Sequence, residues 1–165
     1  GLGDHRELAV VGTARRRFDE SGEHDVVAYE ERPDRWSLRH RSPFAHATIM
    51  MRKPAYDALN GYVDVSRTLR CEDRDLWFRF TAAGFLGGNL AEPLYLVRED
   101  IDAIKRRTFQ NRWNSFRTKL VGYRALGYPA RWYANPIIEL VKVLVPAQAV
   151  LIYRRWQARN HSDVI

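Results

Sequence analysis

Hydrophobic positions change their spacing several times along the chain, and each change marks an element. Leu8-Ala9-Val10-Val11-Gly12-Thr13 is a short apolar run ended by glycine, which predicts a buried strand. Asp19-Glu20-Ser21-Gly22-Glu23 is a turn or exposed loop, and Val26 to Tyr29 predicts a second strand in a loose hairpin with the first. Glu30 to Ser42 is polar and contains Pro33, so a loop with a turn of helix near Trp36 is expected. His46 to Met51 predicts a strand. Pro54 suits the first turn of a short helix running to Asn60, with Gly61 as its cap.

After an irregular connection, Leu76, Phe80 and Ala83 recur at helical spacing and predict a helix facing a core, stopped by Gly84. Leu94 to Val97 is strand-like. From Ile101 the chain turns helical, aromatic and basic. Phe109, Trp113, Phe116, Leu120 and Tyr123 form one helical stripe, expected to pack on the body with a basic face in solvent. Gly122, Gly127-Tyr128-Pro129 and Asn135-Pro136 are expected to divide this region into two or three helices. The order of elements predicts a mixed α/β body, residues 1–103, followed by a helical extension, residues 104–165.

Charge sharpens that division. Residues 1–103 hold 15 Lys+Arg against 18 Asp+Glu, whereas residues 104–165 hold 12 against 2. A mildly acidic body thus carries a basic tail suited to an anionic partner. The apolar stretch from Pro136 to Tyr153 is interrupted by Glu139, Lys142 and Pro146, so it suits a membrane interface better than a span. Trp132, Tyr133, Tyr153 and Trp156 would then sit at headgroup level, with Arg154, Arg155 and Arg159 on anionic lipid. Single-stranded nucleic acid is the rival partner, but no recognised reading motif accompanies the basic residues. One cysteine, Cys71, and no apolar signal core between Gly1 and Arg17 fit a cytoplasmic location, including the inner face of the plasma membrane.

The chemistry concentrates in Cys71-Glu72-Asp73-Arg74-Asp75. Carboxylates at a helix start are favoured by the partial positive charge there, and such a mouth can also present a general base. Asp73 and Asp75 form an Asp-x-Asp, but helical positions i and i+2 point about 200° apart and do not chelate one ion. His46 is either a substrate or phosphate ligand or a satisfied structural histidine. Trp77 can stack on a sugar ring or pack in the core. Arg79 and Arg98 can approach phosphate, or serve in a buried pairing and on the surface, respectively. The carboxylates flanking Cys71 disfavour its thiolate, so it is structural.

Four segments, in order, resemble one enzyme family. Ser42-Pro43-Phe44-Ala45-His46-Ala47-Thr48-Ile49-Met50-Met51-Arg52-Lys53 is similar to the segment before the acidic helix of family 2 glycosyltransferases. Gly61-Tyr62 resembles their Gly-Tyr or Gly-Phe, and Glu72-Asp73-x-Asp75-Leu76-Trp77-x-Arg79 their Glu-Asp motif. Asn89-Leu90-x-Glu92-Pro93-Leu94-x-x-Val97-Arg98 resembles the strand and arginine that close the catalytic domain. The resemblance covers roughly residues 8–100. It implies the acceptor-side half of an A-type nucleotide-sugar transferase, with Asp73 as catalytic base and Glu72 beside it. Beside them, His46, by analogy with the family, and Arg79, Arg98 and Trp77, by their side-chain chemistry, are the candidate acceptor or phosphate contacts. The resemblance further implies inverting transfer onto a saccharide or lipid-linked acceptor in cell-envelope polysaccharide or glycolipid synthesis. The donor half, with an Asp-x-Asp holding Mg or Mn, is expected to lie outside this chain, which is then inactive alone. The alternative is a non-catalytic remnant or binding module that docks a membrane or nucleic acid through its tail.

Overall fold

The computed structural model describes residues 5–98 and 108–141. Strand β1, Leu8–Asp19, organises the body. Its apolar first half is buried, and its second half, from Arg15, is partly exposed. β2 (Gly22–Val27) and the two-residue β3 (Met50–Met51) pair antiparallel along β1, β2 with its end and β3 with its start. β4 (Leu86–Arg98) runs parallel to β1 from Leu8↔Leu86 to Phe18↔Arg98. The sheet is therefore mixed, with β1 central.

β1 does not stop at Gly12–Thr13 as its glycine predicts. Gly12 stays in the strand, paired with Asn89 of β4, and its missing side chain makes room there, since a Cβ would lie 2.6 Å from Oδ1 of Asn89. Asn89 is buried and donates from Nδ2 to the carbonyls of Glu30 (2.8 Å) and Pro43 (3.0 Å), so β4 pins both ends of the intervening loop. That loop contains a short 3-10 helix, Ser37–Arg39, close to the expected turn at Trp36. The strand expected over His46–Met51 is a 3-10 turn, His46–Thr48, followed by β3. Thr48 explains the change: its Oγ1 accepts from Thr13 N at 3.0 Å and donates to Ala45 O at 2.8 Å, folding the segment onto β1.

Helix α1, Lys53–Ala58, carries Pro54 in its first turn and ends earlier than expected. Both Asn60 (φ 54°) and Gly61 (φ 62°) are left-handed, so the chain reverses before Tyr62. Helix α2, Glu72–Ala82, begins at the acidic residues and is stopped by Gly84 at φ 78°. Leu76 and Phe80 are buried as predicted, joined by Trp77 and Phe78, but Ala83 is exposed. Phe44, Trp77 and Phe80 form the aromatic centre of the core, with Phe44 and Trp77 centroids 4.7 Å apart.

Helix α3, Phe109–Ala125, and helix α4, Ala134–Val141, follow. Gly122 does not break α3. It is the point where α3 crosses α2, and a Cβ there would sit 2.1 Å from the Phe78 ring. Gly127, at φ 62°, ends α3, and Pro136 lies in the first turn of α4 rather than dividing a helix. Tyr123, Leu126 and Tyr128 share one core with Phe78 and Leu38.

The aromatic stripe on α3 packs only at its C-terminal end: Tyr123 is in the core and Phe116 and Leu120 are half-buried. Asn114, Ser115, Thr118 and Lys119 are buried with Tyr123, while Phe109 and Trp113 are exposed. The inward surface is polar because α3 packs on a loop with open carbonyls. Asn114 Nδ2 donates to Leu69 O at 3.2 Å and Thr118 Oγ1 to Arg67 O at 2.8 Å. No helix among the described residues is long and apolar enough to cross a membrane. Lys105 to Arg107 and the stretch from Lys142 through Arg159 lie outside the described residues, whereas Trp132 and Tyr133, expected at headgroup level, are described and pack, partly buried, against the core.

Candidate functional site

The acidic mouth of α2 opens into a hollow of about 440 Å³ lined by His46, Tyr62, Val63, Asp64, Glu72 and Asp73. Three elements converge there. The 3-10 turn at His46 supplies the imidazole, the left-handed reversal at Asn60–Gly61 delivers Tyr62, and the first turn of α2 supplies both carboxylates.

Cys71, the N-cap of α2, makes no side-chain cap. The carboxylates at the mouth instead bond locally to the backbone. Asp73 Oδ1 accepts from Arg74 N at 2.7 Å, and Glu72 Oε1 accepts from Arg70 N at 3.0 Å. The second contact supports Arg70 in a left-handed conformation, φ 66°, uncommon for a residue with a side chain. Glu72 thus has a structural duty as well as a place in the hollow.

Tyr62 Oη and His46 Nε2 lie 2.7 Å apart. His46 also packs edge-on against Trp77, centroids 5.7 Å apart, and its Nδ1 is buried with no hydrogen-bond partner. Burial raises the Tyr62 pKa above 10.0, and the nearby phenol of Tyr56 and the carboxylates of Asp73 and Glu72 push it further in that direction. Tyr62 therefore stays a neutral hydroxyl facing two carboxylates. Sequence reasoning did not name it as a site residue, although the Gly-Tyr pair it belongs to was in view.

Trp77 is 0% exposed, with Phe44, His46 and Phe80 around it, so no ring face is open to a sugar. Arg79 does not reach the hollow. Its Nε meets Asp75 Oδ2 at 2.8 Å, and its Nη atoms donate to the carbonyls of Leu59 and Gly61. Arg79 thereby ties α2 to the reversal that carries Tyr62. Arg98 is at the far end of the β1–β4 ladder beside Phe18, 3.5 Å from Glu20, and does not line the hollow. The structure brings together His46, Glu72 and Asp73, and leaves Trp77, Arg79 and Arg98 elsewhere.

Asp75 points away from Asp73 into the protein. It is 3% exposed and also takes Arg67 Nη1 at 2.5 Å. The two aspartates thus face different surroundings, and no group of three or more His, Cys, Asp or Glu that could hold a metal ion occurs among the described residues. Cys71 is buried, with its thiol pushed up by desolvation, and Thr118 is 3.4 Å from its sulfur.

A larger hollow, about 820 Å³, lies between the Glu30–Arg41 loop and Trp132. Arg39 and Arg131 lie over the Trp132 ring there, Arg39 at 4.3 Å, and two of its carboxylates are taken locally, Glu30 by the Ser37 hydroxyl and Asp34 by the Trp36 and Ser37 amides. The smaller hollow has the carboxylates, the imidazole and the phenol that proton transfer to or from a hydroxyl requires.

The sequence is similar, at 39% identity over 162 residues, to a Bacillus subtilis (strain 168) protein named "Putative glycosyltransferase EpsE". That alignment takes in 98% of this chain and 58% of the relative. A second relative, the amylovoran biosynthesis glycosyltransferase AmsE of Erwinia amylovora, is 27% identical over 122 residues, 73% of this chain and 44% of that one. The similarity is to glycosyltransferases. The chain spans about half the length of these curated relatives. No family model and no solved structure matches it.

Proposed function

We propose that this chain carries the acceptor side of an inverting, A-type family 2 glycosyltransferase that moves a sugar from a nucleotide-sugar to an acceptor hydroxyl in polysaccharide synthesis. The observation that carries this reading is the meeting of Asp73 and Glu72, at the mouth of α2, with His46 and Tyr62 in one open hollow. The glycosyltransferase names of the two relatives, one of them for amylovoran biosynthesis, support it.

In this reading the acceptor hydroxyl lies in the hollow and gives its proton to the Asp73 carboxylate. Its oxygen attacks the anomeric carbon, and the bond to the nucleoside diphosphate breaks, the diphosphate leaving with the electron pair. Glu72 and the His46–Tyr62 pair hold the other hydroxyls of the acceptor. A neutral Tyr62 both donates and accepts, which suits a sugar ring.

The test is Asp73→Asn in the full-length protein, assayed for nucleoside diphosphate release from a panel of nucleotide-sugars with acceptor present. Loss of turnover by about 10²-fold or more is expected, as for removal of a general base. Binding of the nucleoside diphosphate, measured by calorimetry, stays unchanged. Turnover equal to the parent's would reject Asp73 as the base.

A further inference from the structure

The start of the aromatic stripe on α3 faces outward, and this surface has its own chemistry. Phe109 is 61% exposed and Trp113 39%. The Trp113 and Phe116 rings stack at 5.3 Å and 23°. Helical spacing projects Phe109, Trp113, Arg117, Val121 and Arg124 to one side, and Arg117 and Arg124 are exposed there. Phe109–Ala125 contains no Asp or Glu. Helix α4 packs on α3 and leaves Ile137 and Ile138 half-exposed.

Large aromatics gathered in the open mark a contact surface. The chemistry of the face selects the occupant. An apolar protein groove would leave the guanidinium groups desolvated without partners. A second copy of the same face would set Arg117 and Arg124 against their equivalents, like charge on like. The headgroup layer of an anionic bilayer satisfies both halves: indole and phenyl rings settle at the boundary of acyl chain and headgroup, and guanidinium groups meet lipid phosphate. The 12 Lys+Arg against 2 Asp+Glu of residues 104–165 add long-range attraction of the same sign.

We propose that α3 lies flat on an anionic membrane surface through Phe109, Trp113, Phe116, Arg117 and Arg124. Its inner face meanwhile holds the loop leading into α2 through Asn114 and Thr118, so the hollow at Asp73 is kept at a set height above the lipid.

The test is flotation of the full-length protein with vesicles of phosphatidylcholine alone or mixed with phosphatidylglycerol, at low and high salt. Co-flotation with the anionic vesicles only, weakened by salt, is expected. The double variant Trp113→Ala, Phe116→Ala and, separately, Arg117→Gln, Arg124→Gln each lower the partition coefficient by about tenfold. Circular dichroism and thermal melts check that both variants fold. Partition of the folded variants equal to the parent's overturns the proposal, since any binding then belongs to another segment. A dimer in analytical ultracentrifugation that the aromatic variant dissociates also overturns it. The readout involves no sugar transfer, so its failure is distinct from failure of the transferase reading.

Discussion

Asp75 and Arg79 face each other one helical turn apart on α2, Oδ2 to Nε at 2.8 Å, and the other carboxylate oxygen of Asp75 holds Arg67. The pair joins the site's supports. Arg67 belongs to the loop under α3, and Arg79 reaches the carbonyls of Leu59 and Gly61 beside Tyr62. Asp75→Asn leaves two guanidinium groups around a neutral amide. A loss of about 3 kcal/mol in urea-unfolding free energy is expected, because a buried carboxylate is taken from its cations.

Gly122→Ala tests the crossing of α3 on α2. The new methyl would fall 2.1 Å from Cγ of Phe78, so the helices must separate or the ring must turn. Helix propensity alone favours alanine by about 1 kcal/mol. Overpacking costs about 1–3 kcal/mol and outweighs it. A lowered melting temperature checks this, and an unchanged or raised one contradicts the close crossing.

Cys71 makes a prediction about alkaline pH. Desolvation holds its thiol pKa above the ordinary 9.0. A group whose folded pKa is raised stabilises the fold fully below its unfolded pKa, and that contribution is lost as pH rises through the folded value. Urea midpoints are therefore flat to about pH 8.5 and fall above it, with Tyr62 and Tyr128 adding to the decline above about pH 10. Cys71→Ala gives a shallower alkaline limb. At neutral pH the native thiol reacts slowly with a disulfide reagent and quickly in denaturant.

Tyr62→Phe removes the partner 2.7 Å from His46 Nε2 and a hydroxyl from the hollow. Tyr62 is 45% exposed, so stability changes by less than about 1 kcal/mol. If the hollow binds the acceptor, the acceptor KM rises about fivefold while kcat changes less, the signature of a lost binding contact. An accompanying change in the His46 ring nitrogen resonances confirms that the two side chains are coupled.

Much of this arrangement was written locally in the chain. The acids that open α2, the glycine that ends it and the turn at Asp19–Gly22 act on their own neighbourhoods, and the structure has them close to where residue types alone put them. His46, Glu72 and Asp73 line one hollow. What could not be read depended on partners far along the chain. Spacing put Phe109, Trp113, Phe116, Leu120 and Tyr123 on one stripe expected to pack, and of these Tyr123 is fully buried while Phe109 and Trp113 are exposed. The surface that α3 meets is a loop with carbonyls to satisfy, and only Asn114 and Thr118 can do that. Gly122 looked like a break because its reason, the Phe78 ring, is 44 positions earlier. Trp77 and Arg79 sat within the Glu-Asp segment but are spent on the core and on Asp75.

The left-handed turn at Arg70 has a consequence for ligand capture. Its amide is held by the same carboxylate that borders the hollow. A guest that recruits both oxygens of Glu72 must compete with that amide, and the released peptide is then free to leave its strained geometry. Occupancy and the shape of the segment entering α2 are joined through one side chain, so Glu72→Gln, which still accepts from the amide, separates scaffolding from recognition where Glu72→Ala would remove both.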